Sequence, residues 1–193
     1  MPPALIAEEW IRCYPVGCRD TISEYRQMNK RMIQALLLVA LSVTVAPSAA
    51  QSSEDDILED KRVAEARALM QAGRDEIIEL EMGLTKAEGE RFWPLYRSYR
   101  ADVMAVRDRF AVMIGRYLRA YEAGEINDEY AEGLLNDWLQ YKEDLLKVQK
   151  QYVRKFRKVL PALKVVRFYQ LENKMDAEID AELAVFIPLM EAI

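Results

Sequence analysis

LTKAEGERFWPLYRSYRADVMAVRDRFAVMIGRYLRAYEAG, residues 84–124, decides the fold. Its apolar positions are Phe92, Tyr96, Tyr99, Val103, Val106, Phe110, Met113, Tyr117 and Ala120, alternating steps of four and three for four heptads. Only a helix brings such positions onto one narrow line, and a line this regular is a coiled-coil seam rather than a loose amphipathic face. The stretch also carries its own start and stop. Thr85 followed by Glu88 makes a capping box, so a helix should begin at Lys86, and Gly124 supplies the residue that tolerates a left-handed ending. Pro94 removes one backbone hydrogen bond and should kink the first part of this helix.

Downstream, Asn127 and Asp128 offer a second cap, with Glu129 in the positive first turn. A second seam follows at Leu134, Trp138, Tyr141, Leu145, Val148 and Tyr152, shifting register to Phe156 and Val159. Two matched seams joined by a short polar turn predict an antiparallel hairpin over about 86–160, on the order of 50 Å long at 1.5 Å per residue. Pro161 ends that arm or opens a further helix, from Ala162 to about Phe186, with Val166, Met175, Ile179, Leu183 and Phe186 as its apolar row. Upstream, Val63, Ala66, Leu69, Met70, Ile77, Ile78 and Leu80 predict a helix from about Ile57 to Gly83. The fold class is therefore all-α: a long, coiled-coil-like antiparallel helical hairpin with additional N- and C-terminal helices.

Residues 28–50, MNKRMIQALLLVALSVTVAPSAA, read as a secretory signal. Lys30 and Arg31 are its positive end, Met32 to Ala46 its apolar core, and Ser48 and Ala50 its small-residue cleavage positions. The apolar run is shorter than the roughly 20 residues a spanning helix needs and is closed by Pro47. The expected product is a periplasmic protein beginning at Gln51, with mature helical domain 51–193 and no stable membrane span. Residues 1–27 are then an excess upstream of the true start at Met28.

Composition narrows the chemistry. The chain has 193 residues, no histidine, and two cysteines, Cys13 and Cys18, both upstream of the expected cleavage site. A mature chain without histidine or cysteine lacks the commonest general base, the commonest transition-metal ligands and a thiol nucleophile. No phosphate-binding glycine loop or calcium loop occurs, and no carboxylate pair stands out as an acid/base dyad; Asp176–Asp180 and Glu178–Glu182 read as a wetted helix face. We expect no enzyme, cofactor or metal. Removing residues 1–50 takes 5 of 27 basic and 4 of 32 acidic side chains, leaving 22 against 28 and a net charge of −6. That balance argues against bulk nucleic-acid binding.

Charge is nonetheless unevenly placed. Nine basic residues lie between Lys142 and Arg167 against Glu143 and Asp144. Lys147, Lys150, Arg154 and Arg157 fall at helical spacing and form a stripe, and Arg100 and Arg107 add basic positions on the preceding helix. Either these residues form a surface for acidic or amphipathic protein clients, or they pair with the acidic stretches Glu54 to Glu81 and Glu172 to Glu182 inside one fold or dimer. Trp93, off the seam, is a candidate exposed contact.

The signal, the LT at a helix cap (Leu84, Thr85) and the long hairpin together resemble the LTxxQ group of periplasmic proteins that includes Spy and CpxP. Phe92, Trp93, Pro94 and Tyr96 within FWPLYRSY, KVLP at 158–161 and RFYQLENK at 167–174 are similar to a branch of small exported helical proteins near that group. The resemblance implies an ATP-independent chaperone or envelope-stress adaptor that works as a homodimer. Departures are visible: Glu88-Gly89 replaces the motif's glutamine, one LT motif is present, and the last helix is extra to the family's cradle. The rival reading is a structural or regulatory coiled-coil protein that binds one specific envelope partner.

Overall fold

The computed structural model describes residues 61–190. The signal segment, the expected cleavage site, Ile57 and most of the acidic stretch before residue 61 lie outside the described residues. Four helices are present and no strand among the described residues: α1 (Lys61–Met82), α2 (Lys86–Ala123), α3 (Asp128–Phe156) and α4 (Ala162–Ala184). They fall into two units, one holding α1 and the other α2 to α4. In α1 the buried side chains among the described residues are Arg74, Ile77, Ile78 and Met82. The helix ends where Gly83 turns to φ 53°, a left-handed angle that glycine adopts without steric cost.

The boundaries of α2 follow from local chemistry. Thr85 Oγ1 accepts the Glu88 N–H at 3.3 Å while Glu88 Oε2 accepts the Thr85 N–H at 2.8 Å, so two free donors of the first turn are satisfied reciprocally. At the far end Gly124 takes φ 66° and its N–H reaches the carbonyls of Ala120 and Tyr121. The helix runs as one element through exposed Pro94, and Ser98 Oγ donates to the Pro94 carbonyl at 3.1 Å. Asn127 caps α3 through the Tyr130 N–H at 2.9 Å.

Side-chain partners fix the directions of the three helices. Between α2 and α3, Tyr99 meets Tyr152, Arg109 meets Asp144, Phe110 meets Tyr141, and Arg116 meets Asp137: rising numbers meet falling ones, so the hairpin is antiparallel. Between α2 and α4 the numbers rise together. Glu88 meets Lys164, Arg100 meets Glu172, Arg107 meets Asp176 and Asp180, and Tyr117 OH donates to the Pro188 carbonyl at 2.7 Å. Helix α4 is therefore parallel to α2, and the unit is an up-down-up bundle of three helices.

The core is aromatic at one end. Phe92, Tyr96 and Tyr99 of α2, Tyr152 and Phe156 of α3, and Phe168 of α4 are all buried. Phe156 touches every layer of this cluster, with ring centroids 5.5 Å from Phe92, 6.0 Å from Tyr99 and 4.7 Å from Phe168. Edge-to-face and tilted pairs of this kind add to the burial of large apolar rings. Toward the other end the seam continues through Val103, Val106, Met113, Tyr117 and Ala120, buried as the heptad spacing requires. Phe110 and Leu145 are only half-buried: Phe110 stacks on Tyr141 at 4.3 Å near the edge of the seam.

Helix α4 departs from expectation in its inward face. Its buried residues are Val165, Phe168, Leu171, Glu172, Met175 and Ile179, whereas Val166 and Phe186 are exposed. Helix α4 starts at Ala162, after Pro161 in extended geometry, and ends at Ala184, two residues short of Phe186. Asp176 is likewise no wetted residue, being 14% exposed against Arg107.

Candidate functional site

On α3 the seam residues Tyr141, Leu145, Val148 and Tyr152 face α2. At 100° per residue, Lys147, Lys150, Arg154 and Arg157 point to the opposite side, and all four are exposed. None of them forms an ion pair or side-chain hydrogen bond among the described residues. Their charges are thus left to solvent, which is the arrangement a surface for anionic groups requires.

The basic residues of α2 have a different fate. Arg100 is 6% exposed and donates from Nη1 to Glu172 Oε2 at 3.1 Å, and Glu172 itself is 2% exposed. Arg107 holds both Asp176 at 3.1 Å and Asp180 at 3.3 Å. These two arginines belong to the joint between α2 and α4, not to an outer surface. Burial costs each ion several kcal/mol of hydration (about that order), so the pair persists because each charge neutralises the other. Thus Glu172, Asp176 and Asp180 of the acidic stretch do pair with basic residues, but with those of α2 rather than with the α3 stripe.

Trp93 is half-buried rather than free, edge-on to Phe92 at 5.4 Å and to Tyr96 at 5.6 Å. Of the remaining motif residues, Leu84 is half-buried, Thr85 is the cap, Pro94 is exposed, and Phe92 and Tyr96 are fully inside the aromatic cluster. The motif is therefore accounted for by packing and capping. Glu88 extends that role: its carboxylate also accepts from Lys164 Nζ at 2.6 Å, tying the first turn of α4 to that of α2. The Lys164 hydrogen bond, then the Thr85 N–H, hold the Glu88 carboxyl down at about 2.

Burial raises the phenols of the cluster. Tyr152 is pushed up to about 12, first by burial and then by its 2.7 Å hydrogen bond to Asp102, and burial also drives Tyr99 and Tyr169 upward with the Glu172 charge adding to it. Raised in this way, these hydroxyls stay protonated at neutral pH.

The sequence reading missed one feature of α3. Leu135, Trp138, Leu139 and Leu146 are exposed by 55%, 41%, 47% and 47%. Trp138 lies at a seam spacing but faces outward, its ring beneath Lys142 Nζ at 5.4 Å from the centroid, and the same amine lies 5.3 Å from the Tyr141 ring. The signal was present: 135, 139, 142 and 146 repeat at four and three, a second row on the same helix beside the seam. The outer face of α3 thus joins an apolar row to a basic stripe.

An all-α three-helix unit with a solvent-facing apolar and basic middle helix is the class these features define. Among the described residues no helix is long and apolar enough to cross a membrane, and no group of three or more His, Cys, Asp or Glu side chains could hold a metal ion. No family model, curated protein or solved structure matches the chain.

Proposed function

We propose that this is an exported, periplasmic, ATP-independent chaperone-like or envelope-stress adaptor protein that holds partly unfolded or acidic-amphipathic protein clients on the outer face of α3. One observation carries the reading: Lys147, Lys150, Arg154 and Arg157 are all exposed without an anionic partner among the described residues, on the helix that also exposes Leu135, Trp138, Leu139 and Leu146. An acidic amphipathic segment needs both kinds of contact, charge for encounter and apolar area for retention. The family resemblance of the 84–99 motif supports the same reading, as does a chain without histidine for catalysis.

The test is reversal of all four basic residues to glutamate. Client holding, measured as suppression of light scattering by unfolded acidic model proteins, should be lost, while helicity and melting stay close to wild type because exposed charges contribute about 0.2–1 kcal/mol or less each. Raising salt should weaken capture by the wild type, since the Debye length is about 10 Å at 0.1 M. Full holding by a folded quadruple variant would remove the basic stripe from the mechanism.

A further inference from the structure

Helix α3 is polar along its length as well as across it. Its outer face reads Asp128, Glu132, Leu135, Leu139, Glu143, Leu146, Lys150, Arg154 and Arg157 from first turn to last, every one of them exposed. Two acids are at one end, the leucines with Glu143 among them in the middle and the bases at the other, and Asp128, Glu132, Lys150, Arg154 and Arg157 form no ion pair among the described residues. Such a face is complementary to itself when reversed. We infer that the outer face of α3 docks antiparallel on the α3 of a second copy of this chain, and that this self-pairing covers the client surface in the resting protein.

The two-fold register follows from the spacing. With Leu135 opposite the partner's Leu146, Glu132 falls one residue from the partner's Lys150 and Asp128 one residue from the partner's Arg154, about 1.5 Å along the axis and within side-chain reach, each contact occurring twice by symmetry. A parallel pairing would set acid on acid and base on base. The contact row spans roughly 40 Å of helix at 1.5 Å per residue, long enough for a coiled-coil interface. Lys142 and Glu143 sit at its centre, and the Lys142 amine is drawn aside over its own Trp138 and Tyr141 rings. A lipid surface fits less well, since anionic head groups would meet the unpaired acids of the first turns.

Covering the client surface rests on the proposed function. The first half of α3, acidic and leucine-bearing, has the chemistry of the clients the second half would hold. A client then competes with the partner's α3, and holding falls as the concentration of this chain rises through its own dissociation constant.

Sedimentation velocity on the purified protein across a concentration series tests the interface. Asp128→Lys with Glu132→Lys, and separately Lys150→Glu with Arg154→Glu, should each weaken self-association by at least about tenfold, because four attractive pairs become repulsive. Combining all four substitutions should restore the dimer, and mixing the two double variants should yield mixed dimers. A wild type that stays monomeric, double variants that still dimerise, or a combined variant that does not recover would each overturn the inference. Circular dichroism of every variant confirms that the bundle is intact. Client holding is read on the same samples: dimers that respond as expected beside a wild type holding no client at any concentration would reject the client reading and leave the interface standing.

Discussion

Replacing Phe156 by alanine should be among the most damaging single changes in the three-helix unit. The ring is fully buried and lies within 6.3 Å, centroid to centroid, of Phe92, Tyr99, Tyr152, Phe168 and Tyr169, so it is the one side chain of α3 that meets rings of both other helices at this end. Loss of a buried phenylalanine costs about 3–5 kcal/mol, through lost transfer energy and the cavity left behind. Its neighbours are rigid rings that collapse poorly into the void, and ring pairs add about 0.5–1.5 kcal/mol apiece beyond area. We therefore place the cost near the upper end, about 4–5 kcal/mol. For a urea slope of about 2 kcal/mol/M, the midpoint should fall by roughly 2 M. Equilibrium urea unfolding followed by circular dichroism reads this directly, with Leu163→Ala as a control at a residue 86% exposed. A midpoint shift worth less than about 2 kcal/mol would refute the claim that this ring joins the three helices.

Phe110→Ala should cost clearly less, about 2 kcal/mol, because the ring is half-buried and stacks on one ring, Tyr141, among the described residues; equal losses at 110 and 156 in the same melts would contradict the packing. Glu172→Ala should destabilise by about 3–5 kcal/mol by stranding the buried Arg100, whereas Arg100→Met combined with Glu172→Leu should lie close to wild type, and urea melts of the four-member cycle check it. Alkaline unfolding should set in above about pH 10: Tyr99, Tyr152 and Tyr169 titrate higher folded than unfolded, so their contribution is complete below the unfolded value and drains away as pH rises toward about 12 and beyond, visible as cooperative loss of helicity with phenolate absorbance. Glu88 acts in the opposite direction. Its folded value of about 2 lies below the unfolded 4.5, so its contribution is present above 4.5 and lost as pH falls toward 2, and Glu88→Gln should flatten the acid limb of stability in that window.

Local chemistry was legible in the sequence. The capping box at Thr85 and Glu88, the left-handed stop at Gly124 and the cap at Asn127 each involve residues within a few positions of one another, so their spacing states their geometry. Most of the α2 seam was legible too, because heptad periodicity is a property of one helix. What could not be read was the position of α4. Arg100 and Glu172 are 72 positions apart, and nothing in either neighbourhood says that these two will share a buried joint. Without α4 placed, the arginines of α2 look as free as the cations of α3. Trp138 was misjudged for a related reason. A helix with two adjacent rows of 3–4 spacing offers its tryptophan to either, and tertiary packing chose Tyr141 and Leu145 for the hairpin.

The acids of α4 that face α2, Glu172, Asp176 and Asp180, recur every four residues, and the arginines they meet are seven apart. Sliding α4 by one turn, about 5.4 Å, would bring Asp176 opposite Arg100 while Arg107 kept Asp180. By charge alone the ladder is a vernier with two settings. What removes the second setting is Phe168: displaced by a turn, it would carry a full ring out of its pocket and put the Glu172 carboxylate into the recess between Phe92, Tyr99 and Phe156. The ion pairs join the helices, and a phenylalanine tells them where to stop.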